Sequence, residues 1–221
     1  MAYSLLANVL KQGRNTSVSS AINTTGSNLI IVAIASYNPN TAPVLSDSAG
    51  NTWTALTEVV EGGITRLRLY YSYAPTTSAT HTFTCTGTDI YVGFSVTAYS
   101  GASSSPFDVE NSNKSNGVSI ATLTAGSVTP SVDDELIVAA IASGSIGEQS
   151  PLSINSGFTI ANTSVNLSGE AFGVSLAYII QTTKGTVNPT FSWTGNAETA
   201  TSIATFKDGA VSNQANFLAF F

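Results

Sequence analysis

The stretch at residues 29–36, LIIVAIAS, returns at residues 136–143 as LIVAAIAS, with six of eight positions identical. An apolar octapeptide recurring halfway along a 221-residue chain points to an internal duplication. Read with a period of two, Ile30, Val32 and Ile34 share one face, and Leu29, Ile31, Ala33 and Ala35 share the other. Neither face is polar. A strand in an antiparallel sandwich ordinarily keeps one wet face, so the second face is expected to meet the other half of the duplication or a neighbouring subunit.

Matches elsewhere follow in the same order. Phe158 and Thr159 stand where Trp53 and Thr54 stood, and Tyr178 stands where Tyr71 stood. The run FSWTG at 191–195 answers FTCTG at 83–87, and Phe206 answers Tyr99. Between these points lie short alternating runs separated by turn residues, with no helical periodicity, the pattern of a β-sandwich. Charged residues make up only 9% of the chain, so Ser, Thr and Asn carry the polar surface, which suits sheets better than helices.

The expected fold is all-β: two similar antiparallel β-sandwich halves of jelly-roll or immunoglobulin-like type, at residues 16–103 and 104–207. Residues 1–15 are expected to form an N-terminal arm, with a short helix or arm strand at 2–10 and a connector at 11–17. A short strand is expected at 18–22, a polar crossover at 100–116, and a C-terminal arm at 208–221.

A net charge of -6 with seven basic residues leaves no cationic stripe for a nucleic-acid backbone. The single cysteine, Cys85, excludes an intrachain disulfide. No run approaches the roughly 18 apolar residues of a membrane span, and no membrane partner is expected. The first apolar stretch follows no positive charge and is interrupted by Asn8, which argues against a secretory leader. A cytoplasmic product, or a mature chain whose leader is not shown, is the expectation.

Catalysis has little to draw on. His81 is the only histidine, and Cys85 lies four strand positions away, roughly 14 Å at ~3.4 Å per residue, too far for a nucleophile and its base. Calcium would want six to eight oxygens. Asp47 with Asn51 reads as a turn, and Asp133, Asp134 and Glu135 read as a charged loop, so no metal or cofactor is expected. Arg66, Arg68 and Tyr70 alternate onto the presumed outer face of a strand whose inner face carries Leu67, Leu69, Tyr71 and Tyr73. They form a contact patch of residue types enriched at interfaces, and Tyr70 is the best exposed aromatic. Trp53, Trp193, Tyr71 and Tyr73 are assigned to the core.

The terminal NQANFLAFF has no counterpart in the first half. Burial of Phe217, Leu218, Phe220 and Phe221 would contribute roughly 6–12 kcal/mol at ~1.5–3 kcal/mol each, before the cost of ordering the arm. It could close a sheet of its own domain or dock on another subunit by strand addition.

Taken together, LIVA, SDSAGNTWT, the Tyr-rich strand, TAYSGASSSPFDV, DELIVAAIAS, GFT and TSIATFK resemble a family of β-sandwich domains found in bacterial surface proteins and tailed-phage structural proteins. The resemblance covers roughly residues 17–207. It implies a fold and supplies no catalytic residues. Bacterial examples sit inside long secreted chains, so a chain read without a leader favours the phage setting. The resulting expectation is a non-enzymatic virion protein, decorating or cementing a capsid or forming part of a tail. Its partners would be other virion proteins and further copies of itself in a homo-oligomer. The alternative is a carbohydrate-binding or adhesin module with a surface glycan as partner.

Overall fold

The computed structural model describes residues 2–37, 42–144, 152–164 and 172–209, and the backbone alone at 88–90, 144 and 164. All the described regular structure is β. The first half holds β1 (Ser4–Val18), β2 (Leu29–Tyr37), β3 (Val44–Asp47), β4 (Thr54–Ala55), β5 (Val59–Glu61), β6 (Thr65–Tyr73) and β7 (Phe83–Ser100). The second holds β8 (Ala102–Lys114), β9 (Ile120–Thr124), β10 (Glu135–Gly144), β11 (Ser153–Ile154), β12 (Thr159–Ser164), β13 (Gly173–Gln181) and β14 (Thr190–Asp208). Each set forms a seven-stranded antiparallel sheet, ordered β1-β7-β2-β6-β4 in one and β11-β14-β10-β13-β12 in the other, and β8 and β9 both pair with β14.

Register makes the duplication explicit. Leu29 pairs with Tyr73 and Tyr99, as Leu136 pairs with Ile180 and Phe206. Ile31 faces Tyr71 and Val138 faces Tyr178, while Thr54 and Thr159 pair with those same two tyrosines. The matches read from sequence therefore fall on equivalent positions.

Each sheet folds over on itself because its longest strands bend. The start of β7 pairs with β3 and the end of β1, whereas its later part pairs with β2 and the rest of β1. Phe83 and Cys85 are thereby carried onto Ile30, Val32, Ile34, Phe94 and Val96, which form the core of the first half. Ile137, Ala139, Ile141, Phe191, Trp193 and Ile203 do the same in the second. Between them lies a third apolar layer, in which Leu29, Ile31, Ala33 and Ala35 meet Leu136, Val138, Ala140 and Ala142. The second face of the repeated strand thus meets the other half.

Three readings change. The segment taken for an arm and connector is β1, a continuous edge strand paired with β7 along its length. The supposed crossover is β8, its counterpart beside β14. Both are polar because they lie at sheet edges, where alternate residues face water. Tyr73, assigned to the core, is 37% exposed. It is the last residue of β6, where the chain leaves the sheet through Ala74 at φ 47°, so its ring lies at the sheet's end. The Gly62–Gly63 turn into β6, at φ 57° and 75°, is held in a conformation that glycine adopts without strain.

Ile34 and Ile141 lie in different core layers and are 2% and 0% exposed. Ile34→Asp and Ile141→Asp should each cost several kcal/mol, since ~1.5–3 kcal/mol of apolar transfer is lost and an unpaired charge is buried. Denaturant unfolding measures this against a surface Thr substitution.

Candidate functional site

A densely connected polar cluster gathers residues distant in sequence. Asp47, at the end of β3, turns into the first half with its carboxylate fully enclosed. Its oxygens accept the Ala49 N–H at 2.8 Å, the Asn51 N–H at 3.2 Å, the Asn51 Nδ2 at 3.1 Å and the Trp53 indole N–H at 2.9 Å. His81 Nε2 lies 2.9 Å from Asp47 Oδ1, and its Nδ1 lies 2.9 Å from Thr24 Oγ1. The imidazole stacks on Phe83 with ring centroids 4.4 Å apart. Burial alone would raise the Asp47 carboxyl, but the His81 contact, the two backbone N–H groups and the Trp53 indole outweigh it and hold it below the usual range.

Hydroxyl, imidazole and carboxylate in line have the makings of an activated nucleophile. Thr24 and His81, however, have no exposed surface. Thr24 Oγ1 also accepts the Ser78 N–H at 3.1 Å and lies 3.3 Å from the Ser78 carbonyl. The chain of groups works as a latch that ties the segment after β1 to the connection between β6 and β7. Sequence alternation could place His81 relative to Cys85, which is buried as a free thiol, but not relative to Thr24 and Asp47, whose contacts span 57 and 34 residues.

The acidic run is also absorbed into structure. Asp133 Oδ1 accepts the Lys184 N–H at 2.7 Å, Asp134 sits in a turn at φ 60°, and Glu135 is fully buried at the start of β10. Among the described residues no group of three or more His, Cys, Asp or Glu is placed to hold a metal ion.

Arg66, Arg68 and Tyr70 are brought together, but not on an open face. They pair with Ser36, Ile34 and Val32, so they lie on the side of the sheet that the bent strands cover. Tyr70 packs half-buried on that core, with the Arg68 guanidinium 5.6 Å from its ring centre. Arg68 Nε donates to the Leu56 carbonyl at 2.7 Å, and Arg66 pairs with Glu58 at 2.6 Å. Burial raises the Tyr70 phenol, partly offset by Arg68. Phe217, Leu218, Phe220 and Phe221 lie outside the described residues.

A polar cleft of about 370 Å³ opens where the halves meet, lined by Glu58, Val59 and Val60 on one side and Ser112, Asn113, Lys114 and Asn116 on the other. A smaller one beside it is lined by Thr57, Glu110, Asn111 and Ser112. Glu110 accepts the Thr57 N–H at 3.1 Å and its hydroxyl at 2.8 Å, and Lys114 Nζ reaches the Val60 carbonyl at 3.1 Å. The cleft is a hydrogen-bonded seam between the halves.

Comparison with protein-family models, with curated proteins and with solved structures gives no match to this chain. Among the described residues no helix is long and apolar enough to cross a membrane.

Asp47→Asn should destabilise the protein by about 1.5–3 kcal/mol at neutral pH, the scale for hydrogen bonds to a charged group. The folded carboxyl ionises below its ordinary value, so its contribution is present above about pH 3.8 and fades as pH falls through the lower folded value. The gap in melting temperature between the wild type and Asp47→Asn should accordingly narrow in acid.

Proposed function

We propose that this chain is a non-enzymatic structural protein of a phage virion that acts through protein–protein contacts. The observation that carries the reading is where the apolar residues go. Three stacked core layers weld the two halves into one unit, which suits a building block. Outside them, the first half presents a face on which Thr16, Val18, Val44, Ser46, Thr84 and Thr86 are neighbours across paired strands, with Val18 47% and Val44 66% exposed. Such a face suits packing against neighbours in an array. The likeness of the sequence motifs to phage structural domains points the same way, and the apolar NQANFLAFF segment would supply a docking element.

Carbohydrate binding is the second reading, and the polar cleft at the seam is what favours it. Its Asn, Ser, Glu and Lys side chains match the hydroxyls of a sugar. Tyr70 offers less than its sequence position suggests, because Arg68 lies over its ring.

Deleting residues 216–221 should leave the melting temperature and circular dichroism unchanged while abolishing oligomerisation or incorporation into particles. Unfolding of the truncated chain would make the segment an internal strand, and unchanged assembly would move the interface elsewhere. A glycan array separates the readings. Specific binding abolished by Asn113→Ala or Tyr70→Ala would promote the carbohydrate reading over the virion one.

A further inference from the structure

Three charged side chains of the second half stand where the first half has none. Register pairs Phe206 with Phe107 as it pairs Tyr99 with Leu5, and Ala204 with Glu110 as Thr97 with Asn8. Asp108 therefore takes the bulge position of Leu6, and Lys207 takes that of Ser100. Glu135, one residue before Leu136, takes that of Asn28, one residue before Leu29. The first half closes the same bulge without charge, so strand pairing does not require it.

In the second half these groups converge. Lys207 Nζ lies 2.8 Å from Asp108 Oδ1. Asp108 Oδ2 accepts the Ser131 N–H at 2.8 Å, and Glu135 Oε1 shares that N–H at 3.1 Å and takes the Val132 N–H at 3.1 Å. Glu135 has no exposed surface, and its Oε2 has no hydrogen-bond partner. Burial, and then the neighbouring Asp108 charge, pushes its carboxyl above the ordinary glutamate range. A buried acid against a second carboxylate is costly where an amide would pack as well, and such arrangements mark reactive sites.

We infer that Lys207 and Asp108 condense into an intramolecular isopeptide bond joining β14 to β8, with Glu135 relaying protons. The resting pair is ionic. Asp108 holds the Lys207 ammonium up, while Lys207 and the Ser131 N–H hold the Asp108 carboxyl down against its burial. Reaction begins with one ammonium proton passing to Oδ1 along the existing hydrogen bond. The neutral amine then adds to Asp108 Cγ, and the carbonyl electron pair moves to Oδ2, where the Ser131 N–H serves as oxyanion donor. Glu135 protonates Oδ1, the Cγ–Oδ1 bond breaks and water departs. A second proton from the nitrogen returns to the Glu135 carboxylate. Two ammonium protons and one carboxylate oxygen leave as water, and no oxidant, metal or co-reactant is needed. Fixed proximity of amine and carboxyl supplies the effective concentration that drives the step.

The test is the intact mass of the denatured full chain, followed by a tryptic map. The wild type should be lighter by one water and should yield a branched peptide joining the Asp108 and Lys207 segments. Lys207→Arg, which keeps the ion pair, and Asp108→Ala should show the full sequence mass, and Glu135→Gln should react far more slowly or not at all. Full mass in the wild type after long incubation, from mildly acid to mildly alkaline pH, overturns the inference. So does a water loss that persists in Lys207→Arg, which would belong to a succinimide at Asp208–Gly209. A Glu135→Gln variant that cross-links at the wild-type rate removes the relay. Should Lys207→Arg fail to fold by circular dichroism, the presence or absence of the branched peptide in the wild type decides alone.

Discussion

Burial of both faces of β2 and β10 is the constraint on which the rest of the molecule depends. Each strand serves its own half with one face and the opposite half with the other, so neither half can leave the other without exposing a large apolar surface. The shared layer includes four small residues of these two strands, Ala33, Ala35, Ala140 and Ala142. Close approach extends to Gly93, where a Cβ would come within 2.9 Å of Val174 Cγ1 in the other half. A bulkier residue at these points would wedge the sheets apart, a cost that well-packed interiors do not absorb.

Equivalent strands meet through equivalent faces, which is the geometry of a two-fold dimer whose subunits have been joined in one chain. Symmetry of place has outlived symmetry of chemistry. Thr57 of the first half donates its N–H to Glu110 of the second. Asn162, the register equivalent of Thr57, instead sends its amide into the first half, to Ser95 Oγ at 3.0 Å and the Val96 carbonyl at 3.3 Å. Core polarity has diverged as well. Asp47 pairs with Phe83 at the position where Ile154 pairs with Phe191, so the buried Asp47 and His81 network occupies a place that the second half fills with aliphatic carbon.

The duplication, the central strands and the register of the aromatic matches were legible because apolar alternation is a local signal and the repeat supplied a second reading of it. The edge strands were not. In β1, Gly13 and Asn15 look like a connector, yet pairing with β7 overrides that local preference and Asn15 is accommodated at φ 62° beside a bulge. Tyr70 was misjudged for a different reason. Alternation correctly separated it from Leu69 and Tyr71, but the assumption that one face is wet failed once β7 bent over it. The Thr24, His81 and Asp47 latch and the Asp108, Glu135 and Lys207 cluster were invisible, because each joins segments whose nearness only the folded topology creates.

The way the two halves bend their edge strands shows how far the second depends on the first. In the first half β1 runs on through Asn15 as one strand. In the second, the corresponding strand is broken into β8 and β9 by a turn whose Asn116 and Gly117 are both left-handed, at φ 55° and 75°. Two such residues in succession aim their N–H groups to one side and form a cradle for an anion. The anion is Glu61 of the first half, 1% exposed, which accepts the Asn116 N–H at 3.0 Å and the Gly117 N–H as well. The turn that lets the second sheet fold over on itself is therefore shaped by a carboxylate from the first. An isolated second half would lose its apolar cover and also the group that organises its own sandwich, so the two halves form one cooperative unit.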